Sequence, residues 1–156
     1  MFPEPSEDNG YLTEHVARLR KSLLLHTGRD LVCSEADGAD AAKELFDAPF
    51  AVMSHDMADD PIFNYANRAA LALFEMDWSE FTSLPSRLSV EPANRRERER
   101  LLREVAQKGY IDDYSGVRIS RSGKRFLIER AVVWNLVDER GEPCGQAAMF
   151  EDWKYL

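Results

Sequence analysis

The sequence predicts an α+β fold in which helices accompany an antiparallel sheet. Segments with a helical spacing of apolar residues fill much of the first two thirds of the chain, whereas the last third consists of three long runs rich in β-branched and aromatic residues. Two shorter strand-like runs lie between the helical segments, so five strands are expected in total. With 156 residues, of which 44% are hydrophobic, the chain is long enough to form one domain with its own core.

The N-terminal part is predicted to be a helical extension. Residues 1–10 are rich in Pro, Glu, Asp and Asn, and we expect them to form a disordered lead. Residues 11–26 follow a helical pattern. Five of their side chains recur at intervals of four and three residues and so form one stripe along the helix: Leu12, Val16, Leu19, Leu23 and His26. A second short helix covers residues 39–46, and the extension as a whole spans residues 11–47.

The main domain is predicted to span residues 48–156. Strands at 49–54 and 61–66 form a hairpin, and helices follow at 67–74, 78–84 and 94–108. Asn67 and Asn94 stand where the first and last of these helices begin, and asparagine is a favoured N-cap residue. Three strands then complete the sheet, at 110–120, 124–137 and 145–153.

Composition excludes several classes of function. The chain carries 20 basic and 28 acidic residues, and its net charge of −8 disfavours binding to nucleic acid. The longest uncharged apolar stretch, residues 69–74, is far shorter than the ~20 residues of a membrane helix. The N-terminus shows no apolar segment of a signal peptide, and Cys33 and Cys144 are too few for a disulfide framework. We therefore expect a cytoplasmic protein without a membrane segment.

Several strings in the chain resemble one known family. The segment FNYANRAALALFEM is similar to the strand-to-helix signature of Per-ARNT-Sim (PAS) domains. The sequence as a whole resembles the MEKHLA family, a PAS-like group. The matching stretches are residues 54–78, 84–92, 109–120, 132–136 and 145–154. The resemblance implies a five-stranded antiparallel sheet with helices on one face, in a sensory or ligand-binding domain that is not an enzyme.

The resemblance also allows the PAS cofactors to be considered one by one. A photoreactive flavin domain carries its cysteine in an Asn-Cys-Arg-Phe run, and neither cysteine of this chain has that context. A haem domain uses an axial ligand on the long helix, but residues 94–108 contain no His, Cys or Met. Flavin, haem and a covalently held chromophore are therefore disfavoured, and the cofactor is unknown.

A ligand would lie between the inner face of the sheet and the helices. Apolar and polar candidates for contact with it are Phe63, Tyr65, Phe74, Trp78, Ser86, Arg87, Ser89, Trp134 and Gln146. A guanidinium with hydroxyls beside it suits an anion. Each candidate also has a structural alternative: the apolar residues can fill a core, Arg87 can pair with Glu75 or Glu91, and Gln146 can bond to the backbone.

The turn after the first strand holds a cluster of potential metal ligands. His55, Asp56, Asp59 and Asp60 lie close together in sequence, but their spacing matches no calcium loop or zinc motif. We therefore predict a polar turn and no metal site, and no catalytic motif is found elsewhere in the chain.

Three functions remain open at this point. The first is a sensory domain that binds a small organic or anionic ligand and signals through protein–protein contact. The second is a protein-interaction module with a filled core, and the third is an enzyme that acts on a small anionic substrate through Arg87. The apolar stripe of the first helix must be covered, either by the sheet of its own chain in a monomer or by the same helix of a second copy, and we expect the second copy, in a homodimer.

Overall fold

The fold was examined in a computed structural model, which describes residues 2–33 and 35–156. It confirms the α+β class and the antiparallel sheet, whose strands run in the order β2-β1-β5-β4-β3. The helices are α1 (Thr13–Thr27), α2 (Gly38–Phe46), α3 (Arg68–Phe74), α4 (Trp78–Phe81) and α5 (Arg95–Lys108), and the strands are β1 (Ala51–His55), β2 (Phe63–Ala66), β3 (Tyr110–Ile119), β4 (Arg125–Val137), β5 (Pro143–Phe150) and β6 (Asp152–Tyr155).

The sheet contains a sixth strand that the sequence does not separate from the fifth. The last predicted strand is interrupted at Glu151. The strand that follows, β6, pairs with the first half of β4, where Phe126 lies opposite Tyr155. The second half of β4 pairs with β5. Arg130 lies between the two halves with a φ of 52°, so β4 changes direction there and each half takes a different partner strand.

Helices cover both faces of the sheet. The face that carries Met53, Val133 and Ala148 lies towards α3, α4 and α5, and we call it the inner face. The opposite, outer face is covered by α1 and α2. The helices after residue 48 thus lie towards the inner face, and the N-terminal helical extension covers the outer face.

The stripe of α1 packs on the sheet of its own chain. Leu19 and Leu23 are both 0% exposed, in one cluster with Trp134 and Leu136 of β4. The Ser22 hydroxyl oxygen accepts a bond of 2.9 Å from the Val137 amide. The side of α1 predicted to be a dimer seam is thus already covered, because α1 completes the core of its own domain.

The N-terminal lead also differs from the predicted disorder. Met1 lies outside the described residues, but Phe2 contacts the domain: its carbonyl accepts a bond of 3.0 Å from the Trp78 indole, and its ring lies 4.9 Å from that of His15. A short 3-10 helix, Glu7–Asn9, is closed by reciprocal bonds between Ser6 and Asn9. These contacts tie the lead to both α1 and α4.

A bulge in β2 decides which side chains reach the inner face. Ser54 lies opposite Tyr65, whereas His55 lies opposite Phe63, so one extra residue, Asn64, is accommodated between the two pairs. Phe63 therefore belongs to the inner cluster and Tyr65 to the outer one. A regular alternation, as the sequence predicts, would have placed both on the same side.

Candidate functional site

A cavity of about 70 Å³ lies between the inner face and the helical side of the domain. It is bounded by β1, β2, β3, β4 and β5 on one side and by α5 and the short 3-10 helix Ser86–Ser89 on the other. Most of its lining is apolar, from residues that include Met53, Phe63, Leu101, Ile128, Val133 and Phe150. The polar side chains that reach it include those of His55, Ser86, Arg98, Arg118 and Gln146.

Small residues on the sheet help to keep this space open. Ala131 of β4 and Ala148 of β5 both line the cavity, and each carries only a methyl group. Their neighbours on the same face are large, Val133 and Phe150 among them. The space would be enough for roughly five to seven water-sized groups.

Arg98 is the buried charge of the cavity. Its side chain is on the first half of α5, on the same helix face as Leu101 and Val105, and the residue is only 7% exposed. Its guanidinium donates a hydrogen bond to the Ser86 hydroxyl. Among the ion pairs of the described residues, none includes Arg98. A buried cation without a carboxylate partner is costly, so its retention needs an explanation.

Charges of both signs surround Arg98. Burial holds the pKa of Arg98 below its ordinary range and the nearby Arg118 guanidinium lowers it further, whereas the charges of Glu99 and Asp60 act in the opposite direction. An arginine nevertheless stays protonated at neutral pH, because its ordinary pKa is so high. The cavity therefore carries a positive charge in its wall.

The 3-10 helix supplies hydroxyl groups at this point. The Ser86 amide donates to the Pro61 carbonyl at 2.8 Å, which fixes the turn against the chain before β2. The Ser89 hydroxyl donates to the Ser86 carbonyl at 2.7 Å and so closes the turn itself. Since the Ser86 oxygen accepts from Arg98, its own proton is left to donate to a bound group.

His55 completes the polar side of the cavity. Its Nδ1 lies 2.8 Å from the Asp56 carbonyl oxygen, so Nδ1 carries the proton and Nε2 is an acceptor. Burial lowers the pKa of His55, and the Arg98 charge acts in the same direction. The imidazole is therefore neutral at neutral pH.

Gln146 connects the sheet to α5. Its amide nitrogen donates to the Leu102 carbonyl and to Asn135 Oδ1, both at 3.1 Å. Asn135 in turn donates to the Val105 carbonyl at 3.0 Å. This small network holds the middle of α5 at a set distance from β4 and β5, and it sets one wall of the cavity.

Comparison with known proteins identifies the family. A family model described as the MEKHLA domain matches residues 13–155. The chain belongs to the MEKHLA domain family. The match includes α1 and α2, so the family's domain contains the helical extension.

The curated relatives of this MEKHLA domain are much longer proteins. The chain is 23% identical over 137 residues to the homeobox-leucine zipper protein HOX32 of Oryza sativa subsp. japonica and 25% identical over 143 residues to ATHB-9 of Arabidopsis thaliana. These matches cover 87% and 88% of this chain but only 16% and 17% of the relatives' own length.

Among solved structures, the PAS domain of a protein from Colwellia psychrerythraea matches with a TM-score of 0.63 and 13% identity, covering 74% of this chain and 92% of that one. A light-oxygen-voltage domain matches with a TM-score of 0.58 and 17% identity, covering 74% of this chain and 83% of the other. The PAS-like fold expected from the resemblance is confirmed.

The structure brings only some of the predicted ligand contacts together. Phe63, Ser86, Ser89 and Gln146 line the cavity. Phe74 lies beyond it in the inner core, with its ring centroid 5.5 Å from that of Phe81.

Arg87 points away from the cavity of the MEKHLA domain. Its side chain is 45% exposed and pairs with Asp60 at 3.0 Å. The partners considered for it are engaged elsewhere: Glu91 with Arg125, and Glu75 with Lys124 and two serines. Successive residues of a tight turn face different directions, which is why Arg87 leaves the cavity while Ser86 enters it.

Tyr65, Trp78 and Trp134 belong to the outer cluster beneath α1. There His15 Nε2 lies 2.9 Å from the Ser54 hydroxyl, which donates to Asn64 Oδ1 at 2.6 Å. Burial lowers the pKa of His15 to about 4 and raises that of Tyr65. Within the described part of the chain, no partner contacts His15 Nδ1, Tyr65 Oη or Trp134 Nε1.

Arg98, Arg118 and His55 are among the site residues that the sequence analysis does not identify. Arg98 stands inside a run of alternating charges, NRRERERLLREV, in which it looks like a residue of the solvated side. The signal that identifies it is its position, three residues before Leu101 and seven before Val105, on the apolar face. In the described residues, no group of three or more His, Cys, Asp or Glu is placed to hold a metal, and none of the helices there is long and apolar enough to cross a bilayer.

Proposed function

We propose that this MEKHLA domain is a non-enzymatic sensory domain that binds a small molecule in the inner cavity. The single observation that supports this is Arg98, a guanidinium in the cavity wall that forms no ion pair with a described residue. A structural arginine is ordinarily paired where it is buried. A group that is left without its counter-charge in a concave, mostly apolar space is the arrangement of a binding site.

The chemistry of the lining favours binding over catalysis. Among the described residues that line the cavity, none carries a carboxylate or a thiol. His55 is the imidazole among them, and burial holds it neutral. Guanidinium and hydroxyl groups recognise and orient an anion. The neutral imidazole of His55 could act as a base, but among the described residues it makes no hydrogen bond to Ser86 or Ser89 that would activate a hydroxyl as a nucleophile.

The proposed signal leaves through protein contact, and the fold offers a route from the cavity to the surface. Gln146 lines the cavity from β5, and the next residue, Ala147, borders it and also packs into the outer cluster with α1. On β1, His55 and Ser54 both border the cavity, and the Ser54 hydroxyl bonds to His15 of α1. A change in the cavity therefore acts on strands whose other face carries α1.

Native mass spectrometry of freshly purified protein, beside a denatured sample, tests the binding. We expect a retained small molecule, and the variant Ala148→Leu should lose it because the added side chain fills the cavity. The matched control is Ala106→Leu, the same substitution on the exposed side of α5. Equal occupancy in both variants, with native circular dichroism, would contradict the proposal.

A further inference from the structure

We propose that the ligand is a small monocarboxylic acid, whose carboxylate pairs with Arg98 and whose apolar tail lies against Phe63, Ile128 and Phe150. This inference rests on the proposed function and names the chemical class of ligand for that site. It is carried by the charge, the hydrogen-bond capacity and the size of the cavity, taken in turn.

The positive charge of the cavity wall favours an anionic ligand. Arg98 is 7% exposed, and the cavity lining also includes Arg118, so two guanidiniums reach one small space. One nitrogen of the Arg118 guanidinium donates a hydrogen bond of 2.9 Å to the Val117 carbonyl. No carboxylate among the described residues shares the lining with them. A bound anion would supply the missing charge and offset the cost of burying Arg98.

The free donors match a carboxylate. A guanidinium has five N–H groups in a planar fork, and the one hydrogen bond that Arg98 makes to a described residue goes to Ser86. Two parallel N–H groups remain for the two oxygens of a carboxylate. The Ser86 proton adds a third donor beside them.

The size and polarity of the remaining space favour a small anion with an apolar part. About 70 Å³ has room for a handful of heavy atoms. Apart from Arg98, Arg118 and the few hydroxyl, amide and imidazole groups, the wall is mainly aliphatic and aromatic. A phosphate has no apolar part to lie against these groups, whereas a monocarboxylate has an apolar end that suits them.

Calorimetry and thermal unfolding with a defined series of probes test this class. The series consists of straight-chain acids of two to six carbons and benzoate, each with its neutral amide, and inorganic phosphate. We expect at least one acid to bind and raise the melting temperature, with its amide at least tenfold weaker and phosphate without effect.

Variants separate a binding role of Arg98 from a structural one. Arg98→Met should weaken the acid at least tenfold, yet melt no lower than wild type when ligand-free, because it removes an unpaired buried charge. The matched control Arg87→Met, whose side chain lies outside the cavity, should bind the acid as wild type does. Should Arg98→Met fail to fold, Ser86→Ala provides the second test, with a selective loss of acid over amide expected.

The outcomes distinguish this inference from the function on which it rests. An amide that binds as tightly as its acid, or phosphate that binds in an Arg98-dependent manner, overturns the monocarboxylate and leaves small-molecule binding standing. An acid that binds Arg98→Met and wild type equally also overturns it. Failure of every acid overturns it too; if no mass is retained in native spectra either, the proposed function falls as well.

Discussion

His15 is a buried base that links the stability of the domain to pH. It is 5% exposed between α1 and the sheet, and burial, followed by the charge of Arg18, lowers its pKa to about 4 from an ordinary 6.5. The folded state therefore favours the neutral ring. The resulting stability is complete above pH 6.5 and is lost as the pH falls from there towards 4, by about 3 kcal/mol in all.

Urea unfolding at pH 7.5 and pH 5.0 measures this dependence. Wild type should lose stability at pH 5.0, and His15→Gln should reduce that loss by about 2 kcal/mol. His55, whose pKa is also lowered by burial, contributes in the same direction, and His55→Gln measures its share. A loss that is the same in wild type and His15→Gln would show that His15 is already protonated, or solvated, in the folded protein.

Asn67 joins three segments through one amide. It is 0% exposed, and its Oδ1 accepts from the amides of Val52 at 3.0 Å and Ala70 at 3.2 Å. Its nitrogen donates to the carbonyls of Leu45 and Phe50. Asn67→Ala leaves these buried groups without partners and should cost at least about 3 kcal/mol of unfolding free energy.

Asn94 provides the matched control, since it stands at the start of α5 but makes no capping bond through its side chain. Asn94→Ala should change the free energy of unfolding by well under 1 kcal/mol. Equal costs for the two variants, measured by urea unfolding, would refute the role assigned to Asn67. The sequence marks both as N-caps, and only the tertiary neighbours of Asn67 make it different.

The two arginines near the cavity show the same limit of sequence reasoning. Arg87 lies between Ser86 and Ser89, and this local sequence is typical of an anion site. Arg98 lies in a charged helical run that does not distinguish it from the solvent-exposed residues around it. Local pattern identifies the turn and the helix correctly. Which residue of the turn faces inward depends on how the turn docks on β2, and that is set by contacts distant in sequence.

At the scale of elements, α1 shows what spacing does and does not determine. The 4-3-4-3 pattern predicts a helix with one apolar side, and the structure confirms the helix over Thr13–Thr27. The pattern is equally satisfied by a second helix or by a sheet. The homodimer through α1 stays a prediction. Since the predicted stripe is buried in its own domain, the exposed apolar residues that α1 offers to a second copy are Leu24 and Leu25, 52% and 69% exposed.

Substitutions on the two sides of α1 test this arrangement. Leu19→Glu places a charge in the outer core and should lower the unfolding free energy by at least about 3 kcal/mol. Leu25→Glu should leave the fold intact, and in light scattering it should dissociate any dimer that uses the exposed side. A folded Leu19→Glu with native stability would show that α1 does not pack on its own sheet.

Other elements were predictable to differing degrees for physical reasons. The three long strands follow from their composition, and the predicted hairpin of β1 and β2 is present. The bulge at Asn64 and the break at Glu151 cannot be recognised in the alternation of apolar and polar residues, because each depends on how neighbouring strands twist and pair. The bulge alone decides that Phe63, and not Tyr65, reaches the cavity.

For the whole molecule, the fold and the cavity lead to different expectations about cofactors. The PAS-like fold is shared with a light-oxygen-voltage domain, yet at 17% identity this likeness concerns the fold alone. The residues present do not fit a flavin: neither Cys33 nor Cys144 lines the cavity, and its 70 Å³ is well below the roughly 300 Å³ at the small end of drug-sized sites. A haem has the same difficulty of size, although His55 and Met53, residue types that can bind haem iron, both line the cavity.

We therefore expect purified protein to be colourless above the aromatic absorption band. An absorption spectrum from 300 to 600 nm, recorded on fresh protein and on the supernatant after denaturation, measures this directly. A small monocarboxylic acid does not absorb in this range, so a colourless protein with a retained small mass is the combined result expected. A flavin or Soret band at near-stoichiometric occupancy would mean that α5 lies much farther from the sheet than Gln146 and its bond to Leu102 hold it here.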